Sequence, residues 1–271
     1  MTHVLRALLL GLAVALPPVV LSAQPNAANT TPIRLDAAVA DSFARAARAR
    51  PLPTAAALRI TTAPSIDGRL DEAFWREGTP ISDFVQRELN EGVPASERTE
   101  VRLATDGINL YIGARMYDRE PRLIVPGEKI RDVQLANSDY IAFIFDTYHD
   151  RQNGFVFATT PAGVEYDGQV IREGEGGGAN VAGQNRMMAG AMGGFNVNWD
   201  ASWTVATRID SLGWTAEFRI PFSTLRYQSG DDEQSWGLNV SRMIRRKNEE
   251  LYWATSPTTP TSRRWKWTIS G

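Results

Sequence analysis

The chain has 271 residues, 29 of them basic and 31 acidic, with a formal net charge of −2. This near balance disfavours a nucleic-acid-binding module, since such modules usually carry a basic patch and a high pI. There is no cysteine, so disulfides cannot stabilise the fold, whereas eight Trp, seven Tyr and ten Phe can supply a large core.

Residues 1–23 resemble a secretory signal peptide. Arg6 provides a positive charge before a short apolar run over 7–16, and small residues at 21–23 suit cleavage. The run is shorter than the roughly 20 apolar residues that span a bilayer. The sequence therefore predicts an exported protein, with an uncleaved membrane anchor as the alternative.

Residues 24–57 are predicted to form a linker. The segment begins with polar residues, and Leu35, Val39 and Phe43 then lie near one face of a possible short helix. Pro51 and Pro53 would end that helix. The helix either remains solvated or docks on a partner.

The segment 66–75 opens the predicted domain with a turn and a short helix. Gly68 after Asp67 favours a tight turn, because glycine tolerates positive φ. Asp71 is expected to be the N-cap of a helix in which Phe74 and Trp75 become buried. These residues organise an N-terminus, and none of them indicates catalysis.

From residue 58 to 271 the sequence predicts a single all-β domain. Apolar side chains recur at every second position and turn dipeptides separate the runs, over 110–117, 140–145, 155–157, 203–209, 214–220 and 236–240. Such short strands indicate a two-sheet antiparallel β-sandwich of jelly-roll type. Four tryptophans on these patterns are predicted to be core: Trp75, Trp203, Trp214 and Trp236.

The segment 173–198 interrupts the strand pattern. It is rich in glycine and has few large apolar groups to offset the entropy cost of ordering. We expect it to be mobile and dispensable to the fold. Limited proteolysis should cut there first.

Histidine and carboxylates restrict the possible chemistry. Only His3 and His149 exist, so a multi-histidine zinc site is excluded and a catalytic triad would require His149. Paired aspartates leave a glycoside hydrolase open as a weaker alternative. Asp146 and Asp150 offer hard oxygen ligands for a possible calcium ion, although no D-x-D-x-D-G spacing is present.

The C-terminal aromatics are the candidate ligand-binding residues. Trp265 follows a polar run that could present its indole to a sugar face, and Trp253 lies nearby in the sequence. Arg263 and Arg264 could donate hydrogen bonds to sugar hydroxyls. Burial of Trp265 in a late strand remains the alternative.

Several segments together resemble family 9 carbohydrate-binding modules. The resemblance covers residues 58 to 271 and rests on 66–75, 109–112, 138–146, 213–222 and 236–240. Segments 149–154 and 161–164 are similar to a subgroup in which this domain precedes an outer-membrane β-barrel. That barrel would begin near Gly271, so the chain could be a truncated product or a fragment.

The resemblance implies a secreted, non-catalytic domain that binds a glycan, in the periplasm or at the outer membrane. Family members clamp a sugar between two tryptophans; the position of the first is Ala136 here, and Trp265 matches the second. An acidic sugar contact falls at Ala142. The alternative is a structural or interaction cap of a β-barrel protein without sugar binding.

Overall fold

The computed structural model describes residues 36–49, 53–132, 134–150, 152–171, 195–227, 234–254 and 269–270. In these ranges one α-helix precedes thirteen strands, most of them short. The helix and the first strands are α1 (Ala37–Ala49), β1 (Ala55–Arg59), β2 (Val85–Glu88), β3 (Thr99–Thr105), β4 (Asn109–Tyr117), β5 (Tyr140–Asp146) and β6 (Gly154–Thr159). The remaining strands are β7 (Tyr166–Val170), β8 (Phe195–Asn196), β9 (Thr204–Asp210), β10 (Gly213–Pro221), β11 (Gly237–Ile244), β12 (Glu249–Tyr252) and β13 (Ile269–Ser270).

The strands form two sheets, which confirms the predicted β-sandwich. One sheet has the order β13-β1-β3-β4-β10-β9, and the other has the order β2-β12-β11-β5-β6-β7-β8. Strand β1 runs parallel to both of its neighbours, and the other paired strands are antiparallel. None of the helices in the described residues is both long and apolar enough to cross a membrane.

The inner faces of the two sheets enclose the main core. Phe143 from one sheet meets Phe218 from the other with ring centroids 5.2 Å apart in an edge-to-face arrangement, a favourable geometry for aromatic pairs. Trp203 stacks on Phe218 at 5.6 Å, and Trp214 is fully buried. All four tryptophans predicted to be core are buried, although Trp75 belongs to a separate cluster on the outer face of the six-stranded sheet.

The segment boundaries differ from the expected ones in two places. Helix α1 ends at Ala49, close to the predicted proline break, but β1 already begins at Ala55, within the expected linker. The short helix after the turn is a 3₁₀ helix over Ala73–Arg76, so the N-cap expected at Asp71 is instead Glu72, which makes no side-chain capping bond. The carboxylate of Glu72 accepts a hydrogen bond from Ser65 N instead.

The glycine-rich segment 173–198 lies outside the described residues up to position 194. Its last part contains strand β8, which pairs with β7 where the sequence pattern indicated no strand. The mobility of the segment stays a prediction. Phe195 explains the difference, because its ring stacks on Tyr166 at 6.4 Å and thereby offsets the cost of ordering the backbone.

The opening turn is held by one buried carboxylate. Glu217, on β10, is 0% exposed, and its Oε2 accepts hydrogen bonds from the backbone N–H groups of Asp67, Gly68 and Arg69 at 3.1, 2.7 and 3.2 Å. Its Oε1 accepts from Trp75 Nε1 at 3.1 Å. The turn therefore anchors the N-terminal segment to the outer face of the six-stranded sheet.

Two glycines allow this close approach. Gly68 has φ +81°, and a Cβ there would lie 2.8 Å from the carbonyl carbon of Thr207. A Cβ on Gly113 would lie 2.8 Å from both the Leu70 side chain and the Trp75 ring. The predicted glycine turn is confirmed, and its reason is steric as well as conformational.

A second buried charge cluster surrounds Arg242, which is 0% exposed. Its guanidinium donates to Arg98 O, Thr99 Oγ1 and Tyr117 O at 2.9, 3.0 and 2.7 Å. Burial lowers the pKa of Arg242 to about 10, although the nearby Asp139 and Asp118 favour its charged form. Arg242 thus joins the start of β3 and the end of β4 to the opposite sheet.

Asp139 is a member of this cluster whose carboxylate is incompletely hydrogen-bonded. Its Oδ1 accepts from Arg245 N at 2.9 Å, but its buried Oδ2 has no hydrogen-bond partner in the described part of the chain. Burial raises the pKa of Asp139 from 3.8 to about 6; the hydrogen bond from Arg245 and the charge of Arg242 oppose this shift. The folded state therefore holds this proton more tightly than the unfolded state does.

We expect Asp139→Asn to stabilise the protein at neutral pH. In the wild type the stability from the raised pKa is fully present below about pH 4 and is lost as the pH rises through about 6. The variant mimics the protonated acid, so its advantage should grow over this window to about 2–3 kcal/mol. Urea unfolding of both proteins between about pH 4 and 7.5 measures the difference, and a pH-independent difference would contradict the prediction.

Candidate functional site

Ala136 and Ala142 are the positions at which the resemblance implies sugar contacts, and Ala142 lies on the outer face of the seven-stranded sheet, in an apolar cluster. Ala142 is 3% exposed and pairs with Ala158 and Ser241 on the neighbouring strands. Ala136 lies in the 3₁₀ helix over Leu135–Asn137. Neither alanine can stack on a sugar or bind its hydroxyls, so the two positions lack the chemistry that the family uses.

The polar groups beside this face are bonded to one another. Glu250 Oε1 accepts from Tyr252 Oη at 3.1 Å and from Tyr140 Oη at 3.4 Å. Arg87 donates to Tyr252 Oη at 3.0 Å, and its guanidinium lies 5.2 Å from the centre of that ring. Burial raises the pKa of Glu250, and the charge of Arg87 opposes the shift. These contacts stabilise the outer face and leave little capacity for a ligand.

Of the four predicted ligand-binding residues, the described part of the chain contains Trp253. Trp253 is 8% exposed and belongs to the inner core, so its indole faces are not open to a sugar. This position does not support the predicted role of Trp253, because a stacking residue must present one face to solvent. The other three predicted residues, Arg263, Arg264 and Trp265, lie outside the described residues, and their role stays a prediction.

The two predicted calcium ligands lie at the end of β5 and in the loop that follows it. Asp150 N donates to Asp146 Oδ1 at 3.1 Å, while the Asp150 carboxylate accepts from Gln152 N and from Asn153 N and Nδ2. Burial opposes a low pKa for Asp150, but the hydrogen bonds from Asn153 and Gln152 hold that pKa below its usual value. In the described part of the chain, no group of three or more His, Asp or Glu residues is arranged to hold a metal. Calcium binding stays a prediction.

A polar cleft of about 410 Å³ lies where four parts of the chain meet. It is formed by the β4–β5 connection, the residue before β7, the start of β9 with the residues before it, and the end of β10. Its lining comprises Arg131, Glu165, Asp200, Ala201, Ser202, Trp203, Thr204, Arg219 and Pro221. We call this feature the Arg131 cleft.

Arg131 is the centre of the charge pattern in the cleft. Its Nη1 lies 2.5 Å from Glu165 Oε2, and its Nη2 lies 2.8 Å from Asp167 Oδ1 and 2.5 Å from Asp200 Oδ1. Its Nε is 3.7 Å from Asp132 Oδ2. Four carboxylates therefore surround one guanidinium, whose side chain is 40% exposed.

Asp167 connects the cleft to the core. It is 1% exposed, and its Oδ2 accepts from Ala201 N at 2.8 Å while its Oδ1 accepts from Trp203 Nε1 at 3.1 Å. The backbone before β9 and the Trp203 ring are thus fixed by the carboxylate that binds Arg131. Because buried, fully bonded groups have little freedom to move, this wall of the cleft is preorganised.

The cleft has a negative electrostatic character. Burial raises the pKa of Glu165, and the carboxylates of Asp167 and Asp200 add to the shift against the opposing effect of Arg131. Burial likewise raises the pKa of Asp132, and Asp167 adds to it. Arg219 lines the cleft and donates to Thr204 Oγ1 at 3.2 Å. No carboxylate of the described residues lies within ion-pair distance of Arg219.

Sequence reasoning did not single out any of the charged residues of this cleft. Arg131, Glu165, Asp200 and Arg219 lie in separate segments, and three of them are in or next to connections without a recognisable motif. No spacing rule links them, because the sandwich topology alone brings them together. An acidic residue next to a strand is common in any β-protein, so the sequence carries no specific signal.

Comparisons with known proteins support the fold. The chain matches no protein-family profile and no curated protein. A solved protein of Bacteroides uniformis ATCC 8492, provisionally assigned to carbohydrate binding, is 11% identical with a TM-score of 0.56, over 81% of this chain and 99% of that one. This likeness shows a shared fold.

Two structures of a family 9 carbohydrate-binding module from Caldicellulosiruptor kristjanssonii are also similar. The complex with cellotriose has 12% identity and a TM-score of 0.47, over 80% of this chain and 94% of that one. The complex with glucose has 13% identity and a TM-score of 0.46, over 79% and 96% of the two chains.

Proposed function

We propose that this protein is an exported, non-catalytic carbohydrate-binding domain and that the Arg131 cleft holds the glycan. The observation that carries the proposal is the cleft itself, a recess of about 410 Å³ with charged and hydroxyl side chains converging on it. Small-molecule sites are typically concave and contain a few well-placed polar groups. The shared fold with a protein provisionally assigned to carbohydrate binding supports the same function.

The lining can pair with the hydroxyl groups of a sugar. Glu165 and Asp200 each use one carboxylate oxygen for Arg131, and the second oxygen of each has no partner in the described ranges. These oxygens can accept hydrogen bonds from sugar hydroxyls. The side chains of Arg219 and Ser202 can in turn donate hydrogen bonds to the hydroxyl oxygens of the sugar. Such hydrogen bonds between charged groups and hydroxyls are the stronger kind.

The position of Arg131 favours binding over hydrolysis. A glycosidase places its two carboxyl groups on either side of the scissile bond, about 5–9.5 Å apart. Here the guanidinium of Arg131 bonds to both Glu165 and Asp200 and lies between them. A glycosidic bond placed between these two carboxylates would have to displace the guanidinium of Arg131.

We expect weak but specific binding, with a Kd near the millimolar end, corresponding to about −4 kcal/mol. Asp200→Ala should weaken it by about tenfold or more, because a hydrogen bond to a charged group contributes roughly 1.5–3 kcal/mol. The Asp200 side chain is 81% exposed, so the melting temperature should stay nearly constant. Calorimetry with a set of mono- and oligosaccharides, chosen from a glycan array, measures these values.

Two further variants locate the site. Asp71→Ala removes an exposed carboxylate away from the cleft and should bind like the wild type. Trp265→Ala tests the sequence prediction: if Trp265 is the stacking face, this change should abolish affinity with little effect on the melting temperature. Loss with Trp265→Ala alone would move the site away from the cleft. A wild-type protein that binds no sugar would favour the structural or interaction domain.

A further inference from the structure

We infer that the Arg131 cleft selects a sugar carrying a positive charge, such as an amino sugar, over neutral sugars and uronic acids. The inference deepens the proposed function and rests on it. It depends on the charge balance of the cleft and on which carboxylate oxygens remain available to a ligand.

The charge balance of the cleft is negative. Asp132, Glu165, Asp167 and Asp200 contribute four negative charges within 4 Å of Arg131, at 3.7, 2.5, 2.8 and 2.5 Å. Arg131 and Arg219 contribute two positive charges, which leaves an excess of two negative charges. A cleft with one sign of charge raises the local concentration of oppositely charged ligands.

The carboxylates differ in their capacity for a ligand. Both oxygens of Asp167 are occupied, by Ala201 N on one side and by Trp203 and Arg131 on the other. Glu165 and Asp200 line the cleft, and each retains one carboxylate oxygen without a partner in the described segments. An ammonium group has three donors and no acceptor, so it can donate to these oxygens and also supplies the opposite charge.

A neutral or acidic sugar gains less from the same oxygens. A hydroxyl donates only one hydrogen bond and leaves the excess charge uncompensated. A uronate would place a third carboxylate beside Glu165 and Asp200, and like charges at close range are unfavourable. Arg219, on β10, would attract the uronate, whereas the guanidinium of Arg131 is already bonded to Glu165, Asp167 and Asp200.

A matched series of β-1,4-linked disaccharides tests the inference. It comprises the glucosamine disaccharide, its N-acetylated form, cellobiose and the corresponding uronic acid, titrated calorimetrically into wild-type protein at about pH 6.5, where an amine of pKa near 8 is charged. We expect the glucosamine disaccharide to bind about tenfold more tightly than cellobiose and its N-acetylated form. The uronic acid should bind most weakly. The preference should shrink at about 1 M salt, because screening weakens exposed ionic contacts.

Variants separate charge from shape. Asp200→Asn and Glu165→Gln keep the side-chain size and should weaken binding of the glucosamine disaccharide more than binding of cellobiose, so that most of the preference for the amino sugar is lost. Glu77→Gln removes one exposed carboxylate outside the cleft and should leave the preference unchanged.

The two possible failures are distinguishable. Equal or tighter binding of cellobiose or of the uronic acid would overturn the amino-sugar inference and leave carbohydrate binding intact. Binding of none of the four disaccharides, nor of any glycan on an array, would overturn the proposed function as well. A preference for the amino sugar that Asp200→Asn and Glu165→Gln both leave unchanged would place the selection outside this cleft and overturn the inference.

Discussion

Glu217→Ala is expected to lower the free energy of unfolding by about 3–5 kcal/mol, because it leaves several buried donors without an acceptor. The lost partners are the backbone N–H groups of Asp67, Gly68 and Arg69 together with the Trp75 indole. Burial raises the pKa of Glu217. The hydrogen bonds from these donors oppose the shift, because they stabilise the charged carboxylate. Urea unfolding of the variant and wild type measures the loss.

Two matched variants make this prediction specific. Glu217→Gln keeps one acceptor oxygen and should lose roughly half as much stability, which also covers the case in which the alanine variant does not fold. Glu72→Ala removes a carboxylate of the same N-terminal segment, which among the described residues accepts a hydrogen bond from Ser65 N at an exposed position. It should cost less than about 1 kcal/mol. If Glu217→Ala also lowered the free energy of unfolding by less than about 1 kcal/mol, the stability of the turn would not depend on Glu217.

Arg242→Met is expected to cost about 3–5 kcal/mol at neutral pH. The variant fills much of the volume but removes the donors to Arg98 O, Thr99 Oγ1 and Tyr117 O. It also leaves the buried Asp139 without its compensating charge. A buried charge is costly when no nearby opposite charge compensates it, since it cannot reach water.

A double-mutant cycle distinguishes charge from packing at this site. Asp139→Asn removes the buried negative charge that Arg242→Met leaves uncompensated. The double variant should therefore be about 1–2 kcal/mol more stable than the sum of the single effects on the free energy of unfolding. The exposed Arg76→Met offers a matched control and should cost less than about 0.5 kcal/mol. Strict additivity of the Arg242 and Asp139 changes would mean that the arginine stabilises the fold through its hydrogen bonds alone.

The sequence predicted the architecture because a half-buried strand leaves a period of two. The alternating residues Leu110, Ile112, Ala114 and Met116 form the face of β4 that packs in the main core, and each of these side chains is at most 2% exposed. The turn at Gly68 could also be predicted, since glycine in that context favours positive φ. Local chemistry was sufficient for both.

Contacts between distant segments were not predictable in the same way. Nothing near Glu217 in the sequence indicates that it binds a turn 148 residues away along the chain. Phe195 pairs with Val170 in the strand register and stacks its ring on Tyr166, although the preceding residues are rich in glycine. In both cases the local structure depends on a contact with a residue that is distant in the sequence and is brought close by the fold.

The candidate site shows the same division. The sequence determined that the protein is a cysteine-free β-sandwich with few histidines, and thereby restricted its chemistry to carboxylates, arginines and aromatic rings. Only the tertiary structure decided which of them meet. Arg131, Glu165 and Asp200 come together because the β4–β5, β6–β7 and β8–β9 connections meet at one place, whereas Trp253 packs in the inner core. Burial and charge proximity are properties of the packed chain, and a pattern of residues along the sequence does not contain them.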